Sequence, residues 1–83
     1  LGESMRESRE SRFRELVGEQ DGVAHVDALR TMFVGPNDVL VTADVSFASE
    51  LDAEEIDGVI EAIESSLAAE DKRVSMVYVE PEV

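Results

Sequence analysis

The chain predicts an α+β fold: an αββαβ open-faced sandwich, a ferredoxin-like variant whose three-stranded sheet carries two helices on one face. Three observations carry this expectation. Residues 39–47 alternate strictly, with Val39, Val41, Ala43, Val45 and Phe47 on one side and Leu40, Thr42, Asp44 and Ser46 on the other, as in a half-buried strand. Ile56, Val59, Ile60, Ile63 and Leu67 recur at helical spacing and share one face. Dense turn chemistry at Gly35-Pro36-Asn37-Asp38 separates two apolar runs and makes them an antiparallel hairpin.

The first element is a helix over residues 4–20, with Arg6, Glu10 and Arg14 at i,i+4 spacing. Met5, Phe13, Leu16 and Val17 form its narrow apolar stripe. The N-terminal half is almost wholly polar, so it faces solvent or leads in from another domain. Gly18 and Asp21-Gly22 close the helix. Val23 to Val34 is rich in β-branched residues and reads as the first hairpin strand. The second helix has a clear start. Asp52 is placed as N-cap with Glu55 three residues on, and Leu51 and Ile56 are spaced for a hydrophobic staple. Asp71-Lys72-Arg73 is the exit loop, and Val74 to Glu80 is a third strand that Pro81 stops.

Eighty-three residues make a single domain, 1–83, with one modest core, and a dimer interface is the usual way to add burial at this size. The absence of cysteine removes disulfides and thiolate metal sites. No apolar run approaches the roughly 20 residues that span a bilayer. The chain begins with Leu1, not Met, which leads us to expect a piece of a longer protein. Twenty acids against seven bases give a net charge of −13. Residues 1–20 are nearly neutral, so the excess lies in residues 21–83. Such a surface is unsuited to nucleic acid, which demands a basic footprint, and to anionic lipid. Two readings stay open: a surface that attracts cations, or adaptation to the cytoplasm of a salt-accumulating, halophilic microbe, where salt screens the repulsion. The single lysine, Lys72, favours the second.

Few residues suggest chemistry. His25, the only imidazole, lies two residues before Asp27, and regular pairing puts both on one strand face. Together they offer a metal half-site, although a lone strand histidine is more often merely exposed. Glu54, Asp57, Glu61 and Glu64 form an acidic row that reads first as the solvated face of the second helix. Arg30 reads as an ion-pair partner across the hairpin or at a dimer contact. No carboxylate dyad, Ser/His/Asp set or glycine-rich phosphate loop is present in the sequence, so no enzyme is expected.

Several short motifs, taken in order, resemble the cytoplasmic C-terminal domain of cation diffusion facilitator transporters. They are Leu1-Gly2-Glu3-Ser4, like the junction after the last membrane helix; Gly22-Val23 closing the first helix; Leu29-Arg30-Thr31 followed by Gly35-Pro36; Ile63-Glu64-Ser65-Ser66-Leu67; and Tyr78-Val79-Glu80-Pro81. The resemblance covers the whole chain, with 1–3 as the junction from the membrane domain. It implies a dimerisation and regulatory domain on the cytoplasmic face of the cell membrane. That domain would lie below a six-helix antiporter that exports divalent cations, most often Zn²⁺, in exchange for protons. The implied partners are a second copy, the chain's own transmembrane domain and divalent cations. The family's metal-ligand positions fall on Asp27, Ala43, Asp57, Tyr78 and Glu80. Alanine cannot ligate, and the rest are mainly carboxylates, which suit Mn²⁺ or weak Zn²⁺ binding. Asp27, Asp57, Glu80 and His25 are therefore the candidate metal residues. The rival reading is a free-standing αββαβ interaction or ligand-sensing domain with no transport role.

Overall fold

The computed structural model describes residues 2–82 and runs α1 (Glu7–Gly18), β1 (Val23–Gly35), β2 (Asp38–Phe47), α2 (Ala53–Glu70), β3 (Val74–Glu82). This is the expected αββαβ order. The three strands form one mixed sheet in the order β1-β2-β3. β1 and β2 pair antiparallel through the tight turn, and β3 returns from α2 to lie parallel to β2. Both helices cover one face of the sheet. Phe13 and Val17 of α1 and Ile63 and Leu67 of α2 are fully buried against Val39, Val41, Ala43 and Val45. The strict alternation of the central strand thus supplies the floor of the core.

α2 begins as its sequence dictates. The Asp52 carboxylate accepts the Glu55 N–H at 2.8 Å, and the Glu55 carboxylate accepts the Asp52 N–H at 3.0 Å, closing a reciprocal capping box. The loop before β1 needs Gly22, whose φ of +95° lies in the left-handed region. Its Cα also approaches α2 so closely that an added Cβ would sit 2.7 Å from Val59 Cγ2.

Three local expectations change. The helix starts at Glu7, not at residue 4, because the preceding residues are used by the sheet. Gly2 N–H donates to the Phe33 carbonyl and Phe33 N–H to the Glu3 carbonyl, both at 2.8 Å. The Met5 N–H then donates to Thr31 Oγ1 at 2.9 Å, and the Met5 side chain is buried. Leu1, the first residue of the junction motif, lies outside the described residues. Glu10, spaced for pairing with Arg6 and Arg14, turns instead to β1, where its Oε2 accepts the Thr31 N–H at 3.0 Å and the Thr31 hydroxyl at 2.5 Å. Pro81 does not stop β3; it pairs in register with Val45. β3 is an edge strand, and proline's missing N–H is tolerated there.

The polar half of α1 is not simply solvated. Arg9 reaches Glu70 at 3.1 Å and Asp71 at 3.5 Å, and Arg12 reaches Glu70 at 3.5 Å. Asp71 also holds Arg73 through two contacts, Nε to Oδ1 at 3.0 Å and Nη2 to Oδ2 at 2.8 Å. Those hydrogen bonds from Arg73 hold the Asp71 carboxyl at about 2, below its ordinary 3.8, against the opposing effect of burial. This knot ties α1, the end of α2 and the start of β3.

Candidate functional site on the open face of the sheet

The face turned away from the helices has no covering element among the described residues. Register arranges it in four rows across β1, β2 and β3. Met32 pairs with Leu40, which pairs with Met76. Arg30, Thr42 and Tyr78 make the next row. Ala28, Asp44 and Glu80 follow, and His25, Ser46 and Glu82 end the sheet. The face therefore grades from apolar at the turn end of the hairpin to acidic at the other. Met32 (40%), Met76 (41%) and Tyr78 (61%) are large hydrophobic side chains that remain exposed on it. Apolar side chains collected on one face of a small domain are the usual mark of an association surface.

The acidic end holds three of the four candidate metal residues. His25 Nε2 lies 3.6 Å from Asp27 Oδ1, so the two side chains do meet on the strand. The local pairing is not regular, however. The register shifts between Val23 and His25 and again between Val26 and Ala28, which leaves Asp27 in a bulge. Its other oxygen, Oδ2, accepts the Ser46 hydroxyl at 2.7 Å, which aims the carboxylate toward the row of His25 and Ser46. Glu80 is the register partner of Asp44, and Asp44 faces Arg30 at 3.8 Å, the cross-hairpin pair anticipated for that arginine. Asp57 is elsewhere. It is exposed on α2 with Glu54, Glu61 and Glu64, on the helix layer rather than the open face. Ala43 is fully buried in the core beneath the helices.

No group of three or more His, Asp and Glu side chains able to hold a metal is assembled among the described residues. His25 and Asp27 meet as a pair that no third such side chain joins among the described residues. The apolar row at Met32, Leu40 and Met76 was not singled out by sequence reasoning. Its signal was present as an outward-facing Leu40 in the alternating strand, and as Met76 and Tyr78 two residues apart. No helix among the described residues is long and apolar enough to cross a membrane.

The family model described as "Cation efflux protein, cytoplasmic domain" matches residues 5–82. Solved structures of MamM CTD variants have the same fold. A nickel form aligns with a TM-score of 0.83 at 23% identity, covering 94% of this chain and 98% of the other. A manganese form gives 0.81 at 22% identity, covering 93% and 96%, and a copper form gives 0.81 at 24%, covering 92% and 94%. The chain has no significant match among curated proteins.

Proposed function

The chain belongs to the cation efflux proteins, as their cytoplasmic domain, and from that premise we propose that it is the paired regulatory unit of a divalent-cation/proton antiporter that exports metal, with Zn²⁺ as the first candidate cargo. The observation that carries this reading is the open sheet face, apolar at one end and acidic at the other. Two copies joined through the Met32–Leu40–Met76 rows would bury the apolar end. The same pairing would double the half-sites of His25, Asp27 and Glu80. A cation shared between them would offset carboxylate repulsion and favour the closed pair, which couples cytosolic metal to the position of the two domains.

The donor set makes the metal response weak. One imidazole and a few carboxylates per chain form a hard, oxygen-rich site that suits Mn²⁺ or low-affinity Zn²⁺. Asp57 joins such a site only if the partner's helix layer comes to it. The acidic surface fits a high-salt cytoplasm. Two measurements test the reading. The coding sequence upstream of Leu1 should specify six apolar spans, and a different upstream architecture would remove the antiporter. Calorimetry should give Zn²⁺ and Mn²⁺ affinities weaker than about micromolar, with loss of the residual heat in Asp27→Ala. Tight Zn²⁺ binding would show that donors outside this set complete the site.

A further inference from the structure

We propose that the domain also binds a phosphate-type oxyanion, in a cavity between the lead-in segment and the corner where α2 passes into β3, held by Arg6, Arg9 and Arg73. The cavity has a volume of about 320 Å³, and Ser4, Ser8 and Phe33 line it together with the three arginines. No carboxylate lines it. That is unexpected in a chain with 20 acids among 83 residues, where the arginines number only six.

The guanidinium groups are oriented in advance. Asp71 grips Arg73 through Nε and Nη2, and the Arg73 Cζ lies 5.7 Å from the centre of the Phe33 ring, which leaves Nη1 unengaged by that carboxylate. Arg9 spends Nη2 on Glu70 and Asp71, and its Cζ lies 5.6 Å from the Phe13 ring centre. Each guanidinium carries five N–H donors, so both keep donors to spare. Arg6 has no ion-pair partner among the described residues and is not needed by the knot. The Ser4 and Ser8 hydroxyls add neutral donors. Several forked donors around a small cavity, with Glu70 and Asp71 bound to Arg9 and Arg73 but not lining it, suit a compact anion whose oxygens each accept more than one bond. The net charge of −13 opposes anions at long range, and this cavity is a local exception to it.

In an NMR titration with inorganic phosphate, against sodium chloride at matched ionic strength, the amides of Ser4, Arg6, Ser8, Arg9 and Arg73 should shift saturably with phosphate alone. Arg6→Ala should weaken that binding by about tenfold, the effect of losing one charge-assisted contact, while circular dichroism stays unchanged. A parallel arm sediments the chain with vesicles of phosphatidylcholine alone or with added phosphatidic acid. Capture that needs both phosphatidic acid and Arg6 assigns the oxyanion to a lipid headgroup; saturable shifts without capture assign it to a free phosphate. Shifts that chloride reproduces, or binding that Arg6→Ala leaves intact, would overturn the site.

Discussion

The Thr31 hydroxyl stands between two elements: it accepts the Met5 N–H and donates to the Glu10 carboxylate, while the Thr31 N–H reaches the same carboxylate oxygen. Thr31 is also the one buried polar side chain among the described residues. Thr31→Val keeps the shape but leaves the Met5 N–H without its acceptor, and leaves Glu10 Oε2 with the backbone N–H of residue 31 as its one remaining donor from that position. It should cost about 1–3 kcal/mol in chemical denaturation, and Thr31→Ser should recover most of it. A valine variant as stable as the parent would show that the network is incidental. Asp71 makes a pH-dependent counterpart. Its folded value of about 2 lies below the ordinary 3.8, chiefly through the Arg73 hydrogen bonds. A lowered carboxyl stabilises the fold fully above its unfolded value and loses that contribution as pH falls through the folded one. Stability should therefore decline between about pH 4 and pH 2 by on the order of 1–2 kcal/mol from this group. Asp71→Asn, compared by thermal melts across that range, should lower stability near neutrality and flatten the acid limb. An unchanged acid limb would assign the decline to other carboxylates.

Among the elements, the loop from α1 to β1 is the least tolerant. Gly22→Ala forces a side chain into the left-handed region and pushes Cβ to 2.7 Å from Val59 Cγ2 and 3.0 Å from Leu51 Cδ1. The substitution should cost about 1–3 kcal/mol, a fall in melting temperature of roughly 5–15 °C for a domain of this size. Calorimetry that showed no fall would mean that α2 shifts freely, against its buried packing. Elements governed by their own residues were readable in advance. The hairpin follows from alternation and turn chemistry, and α2 from its capping box and apolar face. What needed the third dimension was hidden. Met5 sits at helical spacing from Phe13, yet the segment before α1 is drawn into hydrogen bonds with β1, 26 or more residues away. Glu10 looked like the partner of neighbouring arginines until a distant threonine offered it two donors. Pro81 continues a strand because that strand is at the edge, a fact of sheet order rather than of local sequence. The candidate site divides in the same way. The i,i+2 spacing of His25 and Asp27 announced their meeting, whereas the row from Met32 to Met76 exists only through the pairing of three strands.

At the scale of the whole molecule, attraction through the open face competes with charge. Each chain carries −13, so a dimer carries −26 by doubling the formal charge. The apolar end of the face is small, and Met32, Met76 and Tyr78 are its main exposed contributors. At about 0.01 M salt the screening length is roughly 30 Å, comparable to the longest extent of the chain, 40 Å, and the two copies repel as wholes. Near 1 M it shrinks to about 3 Å, and only charges in direct contact still oppose each other. Light scattering should therefore find monomers in dilute buffer and dimers in concentrated salt. Met76→Glu and Tyr78→Glu place a charge within the apolar rows and should keep the chain monomeric at every salt level. Glu54→Gln with Glu61→Gln removes charge from the outer surface of α2 and should lower the salt needed for pairing without abolishing it. The two sets separate a loss of contact from a change in overall repulsion. If the Met76 and Tyr78 variants dimerise like the parent, the interface lies on another face. If the parent stays monomeric in high salt, the isolated domain lacks the apolar area to pair by itself.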